Sequence, residues 1–245
     1  MDPILSDGLQ WLCKADPMVD AIIRPFGSFA DRKDSMGAIA PGVIKPRAEA
    51  VLGLLEKYIA EIELFNPAYG LVGAKDHGEL VTKHILDSLA PLGIILRLLE
   101  KQTGTAPRIA DVGSGAGLPG IPLAIALPDA SFTLIERMGR RAGFLRNTIA
   151  VLGLSNVTVE EGEMEKQAPE RFDIITFRAF RPLEPPILKG LFRLLAPGGV
   201  LAAYKGRMET IQTEMTAACS GGWEALPCPV PGLKEERHLL VIQKA

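Results

Sequence analysis

The chain of 245 residues is 47% hydrophobic and 23% charged, which is typical of a globular protein and excludes a disordered chain. Its formal net charge of −2 excludes a basic field over the whole molecule, so any nucleic-acid surface has to be a local patch. Three widely spaced cysteines and three histidines predict neither a disulfide framework nor a metal site, and the absence of a leader or a bilayer-length apolar run predicts a cytoplasmic protein.

The first part of the chain, residues 1–105, is predicted to be a helical cap. Apolar residues between Trp11 and Ile23 indicate one or two short amphipathic helices. The pattern then predicts a loop over Gly27–Lys45, a helix over Pro46–Phe65 that stops at Asn66-Pro67, a helix over Gly78–Leu99 with a kink at Pro91, and a hinge over Thr103–Pro107.

Residues 106–245 alternate between strand and helix patterns, which is typical of a parallel sheet covered on both faces. The expected strands are 108–112, 132–136, 157–160, 172–177, 200–204 and 238–243. The expected helices are 119–127, 139–152, 184–195 and 207–219.

A glycine-rich turn, Asp111–Gly120, follows the first strand and precedes a helix. Gly113, Gly115 and Gly117 remove side chains beside the backbone, and the order strand, turn, helix favours binding of a nucleoside-bearing cofactor there. Tight packing alone is the alternative interpretation. We count Asp111 and Ser114 with these glycines as candidate cofactor-binding residues.

Glu136, at the end of the second strand, is placed to accept hydrogen bonds from ribose hydroxyl groups. A solvated acid at a helix start is the alternative. Glu163 and Glu165 follow the third strand, where a side chain can meet an adenine edge or simply face water.

Two cofactors fit a glycine loop with a ribose acid: a dinucleotide such as NAD, and S-adenosylmethionine. The second is favoured because the loop continues into Leu118-Pro119-Gly120 and departs from the dinucleotide pattern. The run Leu194–Leu201 is similar to the turn before the fifth strand of class I methyltransferases. No substantial second domain follows to hold a dehydrogenase substrate.

Several motifs together resemble the RsmG (GidB) family of bacterial 16S rRNA guanine-N7 methyltransferases. They are Asn66-Pro67-Ala68-Tyr69, His84–Leu89, Asp111–Pro122, Arg178-Ala179-Phe180, Lys205-Gly206 and Glu236–Ile242. The chain departs from the family pattern at Glu136, where Asp is usual, and at Arg140-Arg141, where a Lys-Arg pair is usual; both changes preserve charge.

The resemblance implies an α/β fold of the class I S-adenosylmethionine-dependent type, Rossmann-like, with a mostly parallel seven-stranded sheet and an N-terminal helical extension. It implies a substrate guanine at position 527 of 16S rRNA. It further implies that Gly113 and Leu118 contact the cofactor, that Met164 and Glu165 lie beside the adenine, and that Arg178 lies where cofactor and target base meet.

Basic residues follow three strands of the predicted sheet at its carboxyl edge, where ligands of open α/β sheets bind. We predict that they hold the RNA backbone, and a solvated helix face is the alternative. They are Arg137, Arg140, Arg141, Arg181, Lys205 and Arg207.

The candidate catalytic residues are Arg178, His84 and Lys205. Guanine N7 has a free lone pair, so alignment of the reacting atoms suffices and a general base is unnecessary. Cys228 is expected to be structural. His84 and Asp87 lie on one face of a predicted helix; they orient the base or only join the cap to the sheet domain.

The leading hypothesis is therefore a monomeric, cytoplasmic rRNA methyltransferase whose partner is 16S rRNA or the small ribosomal subunit, with no membrane contact. The alternatives are a methyltransferase that acts on another RNA, a nucleotide-dependent oxidoreductase, and a non-catalytic ribosome assembly factor.

Overall fold

A computed structural model describes residues 2–23, 48–102, 106–218 and 222–244. The loop predicted over Gly27–Lys45, residues 103–105 of the predicted hinge, and Cys219 lie outside the described residues.

A seven-stranded sheet forms the centre of the molecule, with strand order β3-β2-β1-β4-β5-β7-β6. The first five strands are parallel, and β7 pairs antiparallel with both β5 and β6. The strands are β1 Arg108–Val112, β2 Ser131–Glu136, β3 Val157–Glu161, β4 Phe172–Arg178, β5 Leu195–Lys205, β6 Trp223–Pro227 and β7 His238–Gln243. The predicted fold class is confirmed.

Six of the seven strands lie where the sequence predicts them, and two differences have physical causes. The sixth strand, β6, was not predicted because it is short, has no fully buried residue and is closed by Pro227, as befits an edge strand. β5 begins at Leu195, earlier than predicted, because the turn residues 196–199 bulge out of register between the pairs Phe172–Leu195 and Ile174–Val200.

Two apolar layers cover the sheet, since alternate residues of each strand point to opposite faces. Ile109 belongs to the cluster that contains Ile121 and Phe144, whereas Ala110 belongs to the cluster that contains Leu188. The helices of this part are α7 Gly120–Ala126, α8 Gly139–Leu152, α9 Pro185–Leu194 and α10 Met208–Ala218, and a 3₁₀ turn spans Met164–Lys166. All four predicted helices are present within two residues of their bounds.

The helices before the sheet are α1 Pro3–Ala15, α2 Pro17–Ile23, α3 Ala48–Tyr69, α4 His77–Leu80, α5 Asp87–Leu89 and α6 Leu92–Glu100. Their buried residues belong to the same apolar cluster as one face of the sheet. None of the described helices is both long and apolar enough to cross a membrane.

The prediction that Asn66-Pro67 stops α3 was wrong, because the helix continues to Tyr69 with Pro67 inside it. Proline removes one backbone hydrogen bond there, near the helix end. The Asn66 side chain instead accepts the N–H groups of Leu71 and Val72, and Gly70 takes a left-handed conformation at φ +58°.

The single helix predicted over Gly78–Leu99 is not continuous. A π-helical segment, Val81–Leu86, lies between α4 and α5, and the chain breaks at Ala90-Pro91 before α6 begins. The break at Pro91 is where the sequence predicts a kink, whereas helix propensities do not predict the wider turns of the π-helical segment.

Candidate functional site

A cleft of about 1270 Å³ opens at the carboxyl ends of β1, β4 and β5. Gly113, Arg178 and Lys205, which follow or end these strands, lie in its wall. The π-helical segment closes the other side with Lys83 and His84. The cleft is thus the junction of the front helices with the sheet.

The glycine loop forms one wall, and its three glycines serve different purposes. Gly113, Gly115 and Gly117 all have positive φ, at +73°, +58° and +94°. A Cβ at Gly113 would lie 2.4 Å from the Phe180 ring, and one at Gly117 would lie 2.5 Å from Ile121. At Gly115 the nearest atoms are 3.9 Å away or farther, so this glycine is the one whose missing side chain leaves open space.

Asp111 lies beneath the loop and does not line the cleft. It is fully buried, and its Oδ2 accepts the Gly120 N–H at 3.0 Å, at the start of α7. Burial raises the pKa of Asp111 to about 7, and Oδ1 has no hydrogen-bond partner among the described residues. Its carbonyl also accepts the Ser114 hydroxyl at 2.7 Å, so Asp111 positions the loop from below.

Glu136 is also buried beside the loop and is not among the residues that line the cleft. One carboxylate oxygen accepts the Gly115 N–H at 2.9 Å, and the other accepts the Met138 N–H at 2.8 Å. The predicted ribose acceptor therefore lies directly against Gly115 and fixes its conformation.

A contact with the front helices fixes the loop from the other direction. Tyr58 of α3 is fully buried, and its hydroxyl donates to the Ala116 carbonyl at 2.8 Å. Burial raises the pKa of Tyr58 well above its usual value, so the hydroxyl stays protonated and keeps donating. Sequence reasoning missed this residue, since a tyrosine in an apolar helical stripe looks like an ordinary core residue.

Arg178, at the end of β4, is the centre of a polar cluster at the other wall. Its Nη1 donates to Asp87 Oδ2 at 2.9 Å and to the Lys83 carbonyl at 3.3 Å, and its Nη2 lies 3.2 Å from His84 Nδ1. Asp87 Oδ1 accepts from Arg237 Nε at 2.9 Å. Two guanidinium groups thus contact the buried Asp87 carboxylate, and their positive charges offset the cost of burying its negative charge.

His84 is held neutral in this cluster. Burial, and then the adjacent Arg178 charge, lower the pKa of His84 to about 4. The residue lies in the π-helical segment, together with Lys83, and both line the cleft. A neutral imidazole with one ring nitrogen occupied is a hydrogen-bonding group rather than an acid.

The residues after Arg178 turn sharply. Ala179 has φ +50°, an uncommon conformation for a residue with a side chain, and it directs Phe180 over Gly113. The Arg181 guanidinium stacks on the Phe180 ring at 4.8 Å and pairs with Glu165 at 2.9 Å. Glu165 thereby lies next to a cleft residue without lining the cleft itself.

Met164 is buried in the 3₁₀ turn and does not reach the cleft. Its methyl group lies beneath Gly190 of α9, where a Cβ would be 2.8 Å away. Arg193 donates to the carbonyls of Met164, Glu165 and Gln167, which holds this turn in place.

The six cations that were predicted to hold the RNA backbone lie in three different surroundings. Arg141, Arg181 and Lys205 line the cleft, although Lys205 also pairs with Glu214 at 2.6 Å. Arg137 and Arg207 are exposed outside it. Arg140 is turned away toward the front helices, where its guanidinium donates to the Ala68 carbonyl and stacks on the Tyr69 ring at 4.3 Å.

Lys83 and Arg237 line the cleft and were not predicted as site residues. Arg237 falls in a motif that carried the family resemblance, but nothing in its local pattern indicates a contact with Asp87, 150 positions earlier. Of the described residues that line the cleft, six are cations and four are carboxylates, in a chain whose net charge is −2.

Cys228 does not line the cleft. Burial raises the pKa of its thiol to about 12, and Sγ donates to the Leu226 carbonyl at 3.4 Å. A protonated, buried thiol is unsuited to nucleophilic attack.

The chain matches known proteins over most of its length. The profile of a family described as rRNA small subunit methyltransferase G, also called GidB, matches residues 52–240. Ribosomal RNA small subunit methyltransferase G of Treponema pallidum strain Nichols is 41% identical over 199 residues, which cover 80% of this chain and 86% of that protein. The protein of the same name from Ralstonia nicotianae is 37% identical over 220 residues, 88% of this chain and 96% of that one.

Solved structures share the fold. A crystal structure of a putative S-adenosylmethionine-dependent methyltransferase from Methanococcus maripaludis has a TM-score of 0.52 at 16% identity. The match covers 83% of this chain and 98% of that chain.

Proposed function

The chain belongs to the rRNA small subunit methyltransferase G family, and on that premise we propose that it methylates N7 of one guanine, position 527, in 16S rRNA. One observation carries the proposal: the glycine loop and the Arg178–His84 pair face the same cleft. At about 1270 Å³ this cleft exceeds the roughly 300–1,000 Å³ of an ordinary small-ligand pocket. It has room for a cofactor and one base.

The residues present fit S-adenosylmethionine, the family's cofactor. The open space at Gly115 lets a ligand lie against the backbone, with Gly113, Ser114 and Leu118 beside it in the wall. Glu136, buried behind Gly115, accepts the Gly115 and Met138 N–H groups and so sets the wall against which the ribose lies. Asp111, Gly117 and Met164 support this wall from beneath, and Glu165 lies at its rim beside Arg181.

When bound, the cofactor supplies a methyl group on a positively charged sulfur. Guanine N7 carries a lone pair and no proton, so the protein has to align the reacting atoms and exclude water, and need remove no proton. The cluster around Arg178 suits this task, since Asp87 is held by two guanidinium groups and His84 is neutral. Arg178 presents a planar fork of donors where cofactor and base meet.

The cations at the cleft suit a polyanion that brings one base into it. We assign Lys83, Arg141, Arg181 and Arg237 to phosphate contacts at the wall, with Arg137 and Arg207 outside it. Lys205 remains a further candidate. Lys83, Arg181 and Lys205 have to exchange their carboxylate partners, Glu79, Glu165 and Glu214, for a phosphate. Arg140 is assigned to the contact with Tyr69 instead.

We propose that a monomer acts on 16S rRNA or the small subunit in the cytoplasm. Family membership favours this function over methylation of another RNA, over a nucleotide-dependent oxidoreductase and over a non-catalytic assembly factor.

The test is to incubate the protein and methyl-labelled S-adenosylmethionine in three separate reactions. These contain 16S rRNA, small subunits that lack the modification, and 23S rRNA. We expect label in small-subunit RNA alone. Label in 23S rRNA would contradict the proposal that the enzyme acts on 16S rRNA. No transfer to any sample, with saturable NAD binding or no cofactor binding, would contradict the enzyme class.

A further inference from the structure

His84 is fixed in one tautomer by its neighbour. Arg178 Nη2 lies 3.2 Å from His84 Nδ1, and a guanidinium group can only donate hydrogen bonds. Nδ1 must therefore accept, and in a neutral ring the proton then resides on Nε2. No described residue makes a hydrogen bond to Nε2, and the ring lines the cleft.

The orientation of the ring is set by a chain of contacts behind it. Arg178 is held by the Asp87 carboxylate, and Arg237 holds the other oxygen of the same carboxylate. The His84 carbonyl accepts the Ser88 hydroxyl at 2.6 Å. Asp87 and Arg237 are positioning residues in this arrangement, since they act on His84 only through Arg178 and the helix.

The imidazole stays uncharged at neutral pH, because burial and Arg178 lower its pKa to about 4. The ring, which lines the cleft, is thus a neutral, oriented N–H donor. Gly113, Gly115 and Arg178 line the same cleft, where, in the proposed function, the methyl group and the base meet.

We propose that the His84 Nε2–H donates a hydrogen bond to the O6 carbonyl of the target guanine and so selects guanine over adenine. Guanine presents two acceptors, O6 and N7, on this edge, whereas adenine presents an amine donor in place of O6. A donor at O6 leaves the N7 lone pair free for the methyl group. The same donor opposes the adenine amine, which rejects that base. This assignment rests on the proposed function.

The first test compares two RNA substrates that contain either guanine or 2-aminopurine at the target position. 2-Aminopurine keeps N7 and the 2-amino group but lacks O6. The difference in N7 reactivity of the two bases is the same for every enzyme variant and cancels when base preferences are compared. The base preference is the ratio of kcat/KM on the guanine RNA to kcat/KM on the 2-aminopurine RNA. We expect this ratio to be roughly three- to tenfold lower in His84→Leu than in the wild type, the effect of removing one hydrogen bond between uncharged groups.

His84→Gln is the matched variant, because its amide nitrogen places a donor near the former Nε2. We expect it to keep most of the base preference. A His84→Leu variant that folds but keeps the full preference, with both rates reduced equally, would overturn the assignment and leave His84 a structural residue.

The second test needs no substrate. Nitrogen-15 NMR of the imidazole groups in the full chain, assigned with His84→Gln, should show His84 as the Nε2–H tautomer without titration between pH 5 and 8. An Nδ1–H tautomer, or protonation near pH 6.5, would overturn the assignment. Wild-type enzyme that fails to methylate the guanine RNA contradicts the proposed function itself, whereas methylation with an unchanged base preference in His84→Leu contradicts only the role of His84.

Discussion

At the scale of single residues, Arg178 makes the most connections in the site. Its guanidinium group reaches a carboxylate, a carbonyl and an imidazole from one end of β4. A lysine has the charge but lacks the planar fork that spans these three acceptors. The geometry, more than the charge, therefore distinguishes Arg178 from a simple counter-ion.

We predict that Arg178→Lys lowers the single-turnover rate on 16S rRNA by roughly tenfold or more, equivalent to about 1.4 kcal/mol of transition-state stabilisation. RNA affinity should fall much less, since other cations still contact phosphates. Arg108→Lys is the control, because Arg108 pairs with Asp173 at the amino ends of the strands, away from the cleft. Equal rates in the two variants would reduce Arg178 to a counter-charge.

The loop glycines allow a second comparison at this scale. Gly115 and Gly153 both have positive φ, +58° and +66°, and both have open space where a Cβ would point. Alanine at either position costs about 1–2 kcal/mol of backbone strain. Only Gly115 faces the cleft; Gly153 ends α8.

We therefore expect Gly115→Ala and Gly153→Ala to lower thermal stability alike, whereas only Gly115→Ala weakens S-adenosylmethionine binding, by tenfold or more. Calorimetric titration of both variants measures this. Equal affinity in the two would remove the glycine loop from the cofactor site.

The sequence predicted the single residues that sit in a local pattern, and it missed those whose partners are remote. Gly115 lies in the loop after β1 and Arg178 ends β4, so the rule that ligands bind at the carboxyl ends of α/β strands places both. Tyr58 and Arg237 become site residues only through partners 58 and 150 positions away. The pattern places Asp111 at the start of the loop and does not show that its side chain is buried beneath the loop.

At the scale of elements, strands and sheet helices were predictable because buried parallel strands are continuous apolar runs bounded by turns. The front helices were harder. Nothing in the residue pattern of the π-helical segment predicts its wider turns; the segment packs against α1, and its Lys83 carbonyl accepts from Arg178. The extension of α3 through Pro67 likewise depends on the Asn66 side chain, which completes the helix end.

The start of α8 offers the test of the RNA surface. Arg137 is exposed and Arg141 lines the cleft, whereas Arg140 between them contacts Tyr69. We expect Arg137→Ala with Arg141→Ala to weaken RNA binding. The dependence of binding on salt should fall by about one unit of log slope for each phosphate group that the variant no longer neutralises.

Cofactor affinity should be unchanged in this double variant. The matched control is Arg108→Ala with Arg171→Ala, which removes two arginines from the opposite end of the strands. If RNA binding by both double variants has the wild-type dependence on salt, Arg137 and Arg141 face solvent and do not contact phosphates.

At the scale of the whole molecule, the predicted division at residue 105 separates two regions that share one apolar cluster. Leu55 and Leu89 of the front helices pack in the same cluster as Ile109 and Phe132 of the sheet. Because the cleft lies between these regions, its geometry depends on their staying together.

We predict that the chain unfolds in one cooperative transition. Trp11 in α1 and Trp223 in β6 are the two tryptophans, one in each region. Trp223→Phe leaves a reporter in the front helices, and Trp11→Phe leaves one in the sheet. Each reporter's fluorescence midpoint in urea should coincide with the circular dichroism midpoint of the same variant; a separate, earlier transition at Trp11 would indicate that the front helices unfold independently.

Chemical mapping of the methylated RNA locates the proposed methyl group at one atom of one base. Methylation at N7 places a positive charge on the guanine ring and makes the strand cleavable by borohydride reduction followed by aniline. After reaction of the wild-type chain with unmodified small-subunit RNA, we expect a single new cleavage at guanine 527 that is absent without S-adenosylmethionine. Methyl incorporation without cleavage at that guanine, or cleavage at another position, would contradict methylation of N7 of guanine 527.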